Sequence, residues 1–134
     1  MKANELMIGD WVQDRSGSKM KIMNIEYHCT RVLYNGEELI LACFEQANLR
    51  PIPLTTEILE KNGFRIIFES ELHVSYFQDT ESFHVEIIVD KVGIFQKLSM
   101  WDGFGNKVTI IECRFVHQLQ HALRLCGISD EITL

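Results

Sequence analysis

Two histidines, His117 and His121, stand four residues apart in the stretch FVHQLQHALRLCG, residues 115–127. On a helix that spacing places them one above the other. A pair of this kind is half of a zinc site of the H-E-x-x-H type, in which the glutamate after the first histidine is the general base. Here that position is Gln118, and an amide does not take up a proton at neutral pH. A third metal ligand would have to come from Glu112, His73 or His84. Arg114 and Arg124 flank the pair and oppose a dication. The expectation is therefore a wet polar helix face with no cofactor. A metal-assisted enzyme using His117 and His121 is the alternative.

No other catalytic pattern competes. The chain has no G-x-S-x-G, Walker loop or G-x-G-x-x-G. The glycines of GFGN (103–106) follow Trp101-Asp102 at a hairpin tip and open no helix, which disfavours a phosphate cradle. The same tip sets two large aromatics, Trp101 and Phe104, on a glycine-rich turn. They either fold back on a sheet or stand out as anchors for a partner protein.

The elements that position these residues read as follows. DWVQD (10–14), KMKIMNIEY (19–27), TRVLY (30–34) and ELILACF (38–44) are short strands. In the second, Met20 and Ile22 alternate with lysines, and then Met23 and Ile25 shift the phase, which predicts a bulge or strong curvature. Asn35-Gly36 predicts a tight type I′ hairpin turn. Short curved strands in about fifty residues suggest a small SH3-like barrel over residues 1–53. In LRPIPLTTEILEKNGF (49–64) the Pro-Ile-Pro segment is a stiff joint, Thr55 is an N-cap and Gly63 a left-handed C-terminal stop. Strands follow at 64–69, 72–78, 83–90, 93–100 and 107–112, joined by short turns, as in an antiparallel meander. The last helix is expected over 113–126, with Val116, Leu119, Leu123 and Cys126 on its buried stripe, widened by Phe115, Ala122 and Leu125. The expected architecture is α+β and strand-rich: a barrel lobe over 1–53, then an α+β lobe over 54–134 with two helices flanking the meander, the two sharing one core.

A chain of 134 residues with net charge −6 buries enough surface to fold without staples. Its bulk charge disfavours nucleic acid. A nucleic-acid-associated barrel would need Lys2, Lys19, Lys21, Arg31 and Arg50 to converge on one face. Charge is uneven: residues 1–53 carry six basic and seven acidic side chains, residues 54–134 seven and twelve. Between Arg65 and Lys91 there is no basic residue, whereas Glu69, Glu71, Asp79, Glu81, Glu86 and Asp90 all fall there. That run is either a solvated sheet face or an acidic docking surface. MKANELMIGDW has no apolar h-region, and no apolar run approaches the roughly 20 residues of a membrane helix. The expected location is the cytoplasm, with Cys29, Cys43, Cys113 and Cys126 reduced and buried as small hydrophobes.

MKANELMIGDWV, LRPIPLTTEILEKNGF and FVHQLQHALRLCG, about 40 of the 134 residues, resemble a group of small proteins from Bacteroides-type gut bacteria and their phages and mobile elements. That group has no assigned activity, so the resemblance implies origin and architecture but no chemistry. Its helices more often read Leu-Gln-Asn where this chain has Leu119-Gln120-His121, which argues against a shared metal role for His121. The expectation is a non-enzymatic protein-binding or adaptor module. Trp101 and Phe104 are its contact candidates, its partner is another protein, and an edge strand could pair with its twin in a homodimer.

Overall fold

The hairpin signal at Asn35-Gly36 is realised, with φ of 50° and 83° at the two central residues. The computed structural model describes residues 5–26, 29–42, 48–79, 83–91, 96–102 and 104–134. At 83, 96, 97, 100, 102 and 108–111 it describes the backbone alone. The turn joins β3 (Cys29–Tyr34) to β4 (Glu37–Ala42). Before them come β1 (Trp11–Gln13) and β2 (Lys19–Ile25). The register of β2 against β3 shifts between Ile22 and Asn24, where the hydrophobic phase predicted a bulge. β5 (Arg50–Pro51) returns to pair antiparallel with β1.

These strands form one antiparallel sheet in the order β4-β3-β2-β1-β5. Among the described residues its pairings make a sheet with two edges and no closed barrel. One face carries the core, Val12, Met20, Ile22 and Val32, joined by Leu6 and Leu49. The MIGDW segment is a structural turn. Asp10 is fully buried, and its carboxylate accepts from the Met7 N–H at 2.7 Å.

The helix α1 (Thr56–Lys61) begins and ends as its sequence dictates. Thr55 Oγ1 accepts from the Ile58 N–H at 3.3 Å, satisfying one orphan donor of the first turn. Gly63 sits at φ 82°, and the Phe64 N–H reaches back to the Leu59 carbonyl at 3.0 Å.

β6 (Arg65–Glu69), β7 (His73–Asp79), β8 (Phe83–Asp90), β9 (Gln96–Asp102) and β10 (Lys107–Glu112) form the expected meander, ordered by sequence and antiparallel throughout. Its covered face carries Val74, Tyr76, Val85, Ile87 and Leu98. α1 lies on that face: Gln78 Nε2 donates to the Asn62 carbonyl at 3.1 Å, and the Tyr76 hydroxyl bonds to Thr56. Desolvation, with Glu60 nearby, raises the Tyr76 pKa.

The last helix, α2 (Val116–Leu125), is shorter than expected. Residues before it stay extended because the Val116 N–H donates to the Ile52 carbonyl at 2.9 Å and Phe115 bridges to Pro53. Contacts group residues 1–53 with 115–117, and residues 54–114 with 118–134. The overall class is α+β, built among the described residues on two antiparallel sheets and two α-helices. Among the described residues no helix is long and apolar enough to cross a membrane.

Candidate functional site

The two histidines differ in environment. His117 is only 7% exposed, and its ring stacks on Phe115 with centroids 5.9 Å apart; His121 is half-buried. The expectation of a wet face is thus overturned for His117. Gln120, which lies outside the stripe expected to be buried, is 1% exposed, and its amide donates to the Asp130 carbonyl at 3.2 Å. Leu125, expected on the buried stripe, is instead 83% exposed. The buried arc of α2 is rotated and wider than the apolar pattern implies, because polar residues fill part of it. Gln118, which stands where a catalytic glutamate would, accepts from the Arg114 N–H at 2.8 Å and ties down the helix entry.

The possible third ligands are engaged elsewhere. Glu112 pairs with Arg114 at 3.5 Å. His73 lies across from Asp90, and His84 across from Asp79. The two histidines therefore sit at opposite ends of the β7–β8 hairpin, about 20 Å apart at strand rise. His84 Nδ1 is 2.6 Å from an Asp79 oxygen, and its ring stacks on Phe77. Among the described residues no three His, Cys, Asp or Glu side chains converge as metal ligands do.

Trp101 and Phe104 are placed differently from one another. β9 was expected to end at Met100 but runs on through Asp102, so Trp101 is a strand residue, opposite Lys107 and His84. It is half-buried on the sheet. Its indole Nε1 donates to Glu86 at 3.2 Å, and Lys107 Nζ lies 4.9 Å from its ring centroid. Lys107 also pairs with the same Glu86 oxygen at 3.1 Å. Phe104 remains on the turn and is 94% exposed.

Three of the six acids in the run between Arg65 and Lys91 are paired with cations. Glu69 pairs with Lys91 at 2.8 Å, Asp79 with Arg65 at 3.4 Å, and Glu86 with Lys107 at 3.1 Å. Glu81 lies outside the described residues.

The cysteines meet the expectation of burial in part. Cys113 is fully buried, and desolvation pushes its thiol up to about 12. Cys29 and Cys126 are only partly buried, and Cys43 lies outside the described residues.

Two features escaped the sequence reading. The strand β6 is exposed along its whole length, with Ile66 at 48%, Ile67 at 57% and Phe68 at 53%. It is an edge of its sheet, and Leu72 just beyond it is 71% exposed. Its composition matches that of a buried strand, so only its edge position reveals the exposure. The second feature is a cavity of about 330 Å³ on the N-terminal sheet, lined mainly by Met20, Tyr34, Leu41 and Leu49, with Asp14 and Ser18 at its margin. Asp14 is already committed to its own turn. It accepts from the Ser16 hydroxyl at 2.6 Å and the Ser18 N–H at 2.9 Å, and these bonds hold its carboxyl below the usual range.

Comparison with family models, with curated proteins and with solved structures gives no match to this chain.

Proposed function

We propose that the chain is a non-enzymatic protein-binding module, cytoplasmic and belonging to a phage or other mobile element of Bacteroides-type bacteria, and that β6 is its contact edge. The observation that carries this reading is the row Ile66, Ile67 and Phe68, each about half exposed on an edge strand. An apolar edge offers unpaired backbone groups and greasy side chains together, which suits an added strand or an apolar partner segment. The other edges with described side chains carry a shorter apolar row: on β4, Glu37 and Glu38 precede exposed Leu39 and Ile40, and β5 is two residues long and contains Pro51. On β6 the register shifts between Ile66 and Phe68, leaving Ile67 without a partner in the β7 ladder. Ile67 is thus presented outward, flanked by Arg65 and Glu69. Phe104, at the far edge of the meander, is the second contact candidate. For the N-terminal sheet, the return of β5 onto β1 and the bulge in β2 support an SH3-like curl.

The test is affinity capture from host lysate treated with nuclease, comparing the wild type with Ile67→Lys. The expected result is one stoichiometric protein retained by the wild type and lost with Ile67→Lys, at an unchanged melting temperature. Retention of that protein by Ile67→Lys would remove β6 as the contact edge, and an empty wild-type catch would remove the adaptor reading.

A further inference from the structure

The register of the N-terminal sheet sorts its cations. Gln13 on β1 lies directly opposite Lys19 on β2 and Arg50 on β5, and Trp11 lies opposite Lys21. Lys21 in turn faces Leu33, and Arg31 faces Asn24 across the bulge. Directly opposed residues share a face. Arg50, Lys19, Lys21 and Arg31 therefore all lie on the face opposite Val12, Met20, Ile22 and Val32, with Trp11 and Gln13 among them. Lys2 lies outside the described residues.

The charge on this face is not cancelled evenly. Arg31 pairs with Glu38 at 3.3 Å and with Glu26 at 3.7 Å. Lys19, Lys21 and Arg50 form no side-chain ion pair among the described residues. Lys19 and Arg50 are exposed, and Lys21 and Trp11 are half-buried. Of the nearby acids, Asp10 is buried and Asp14 is bound within its own turn. Lys19 and Lys21 stand two residues apart, about 7 Å along the strand, and Arg50 lies two strands from Lys19, about 10 Å. The result is a compact three-cation patch beside an indole.

We infer that this face binds the phosphate backbone of single-stranded nucleic acid, with Trp11 as the platform on which a base stacks. Three cations without an ion-pair partner among the described residues are complementary to a run of phosphates, and an aromatic among them is the usual companion in single-strand recognition. An acidic protein would meet the same cations but has no use for the indole. The net charge of −6 does not cancel the patch. At ordinary salt, charges more than about 10 Å away are largely screened, so the local cations dominate at contact.

The experiment uses the full chain and a fluorescently labelled oligothymidylate at low salt, read by anisotropy. Binding is expected, with a log–log salt slope of about −2, since each of three phosphates contributes about −0.7 for single strands. Charge reversal at Lys19, Lys21 and Arg50 together should abolish it, whereas Lys107→Glu should leave it unchanged. In a Trp101→Phe background, the oligonucleotide should quench Trp11 and inorganic polyphosphate should not. No binding at low salt, equal binding after the triple reversal, or equal binding of polyglutamate would each overturn the inference. An unquenched Trp11 would overturn the stacking role.

Discussion

The described residues form two five-stranded antiparallel sheets that treat most of their cations differently. In the meander, cations are used locally: Lys107 holds Glu86 beneath Trp101, Lys91 holds Glu69, and Arg65 meets Asp79. In the N-terminal sheet, Lys19, Lys21 and Arg50 stand on one face without such partners among the described residues. The edges differ less. On β4, Glu37 and Glu38 precede exposed Leu39 and Ile40, whereas β6 carries three consecutive exposed apolar residues, Ile66, Ile67 and Phe68. Composition is a poor guide to which surface is available, since the more acidic half pairs Glu69, Asp79 and Glu86 with cations and leaves an apolar edge open.

Both sheets should resist change equally at their cores. Ile22 in one and Ile87 in the other are fully buried. Ile22→Ala and Ile87→Ala should each cost about 2–5 kcal/mol in denaturant melts. A loss below about 1 kcal/mol at either site would mean that its sheet is far less well packed than the other.

The two aromatics near the β9–β10 turn give a sharper contrast. Trp101→Ala removes a half-buried ring, a hydrogen bond to Glu86 and the contact with Lys107, and should cost about 1–3 kcal/mol. Phe104→Ala, at a residue 94% exposed, should stay within about 0.5 kcal/mol. Equal losses for the two would show that Phe104 packs as Trp101 does.

The last effect is a gain. Thr30 is fully buried on the core face of β3, and its hydroxyl has no hydrogen-bond partner among the described residues. Thr30→Val keeps the shape and removes a buried unsatisfied group, so thermal unfolding should show stabilisation of about 1 kcal/mol. Destabilisation by the same change would mean that the hydroxyl is satisfied in solution.

Much of the local structure was legible in advance because its causes are local. Asn35-Gly36 demands positive φ, Thr55 offers an acceptor to the first turn of α1, and Gly63 ends it. The phase slip at Met23 marked the bulge in β2. The candidate site was less legible. The end of β9 was misplaced because Trp101-Asp102 before glycine reads as a turn, yet cross-strand pairing with Lys107 and Phe83 carries the strand on. The face of α2 was misread because an apolar stripe does not show which polar residues are buried with it. Gln120 is buried because the chain after α2 folds back and presents the Asp130 carbonyl to it. The same segment is tied to α1: the Thr133 N–H donates to Asn62 Oδ1 at 2.8 Å, and Arg124 pairs with Asp130. No pattern within residues 128–134 announces those partners.

The sequence by itself determined the α+β class, the meander, the capped helix and most turns, since each follows from the conformational preference of a few adjacent residues. Tertiary structure alone decided that His117 is buried, that β6 is an edge, and that three separate cations share a face with Trp11. Those outcomes depend on strand register and on contacts between residues distant in the chain, and a single-residue slip in register would turn every side chain to the opposite face.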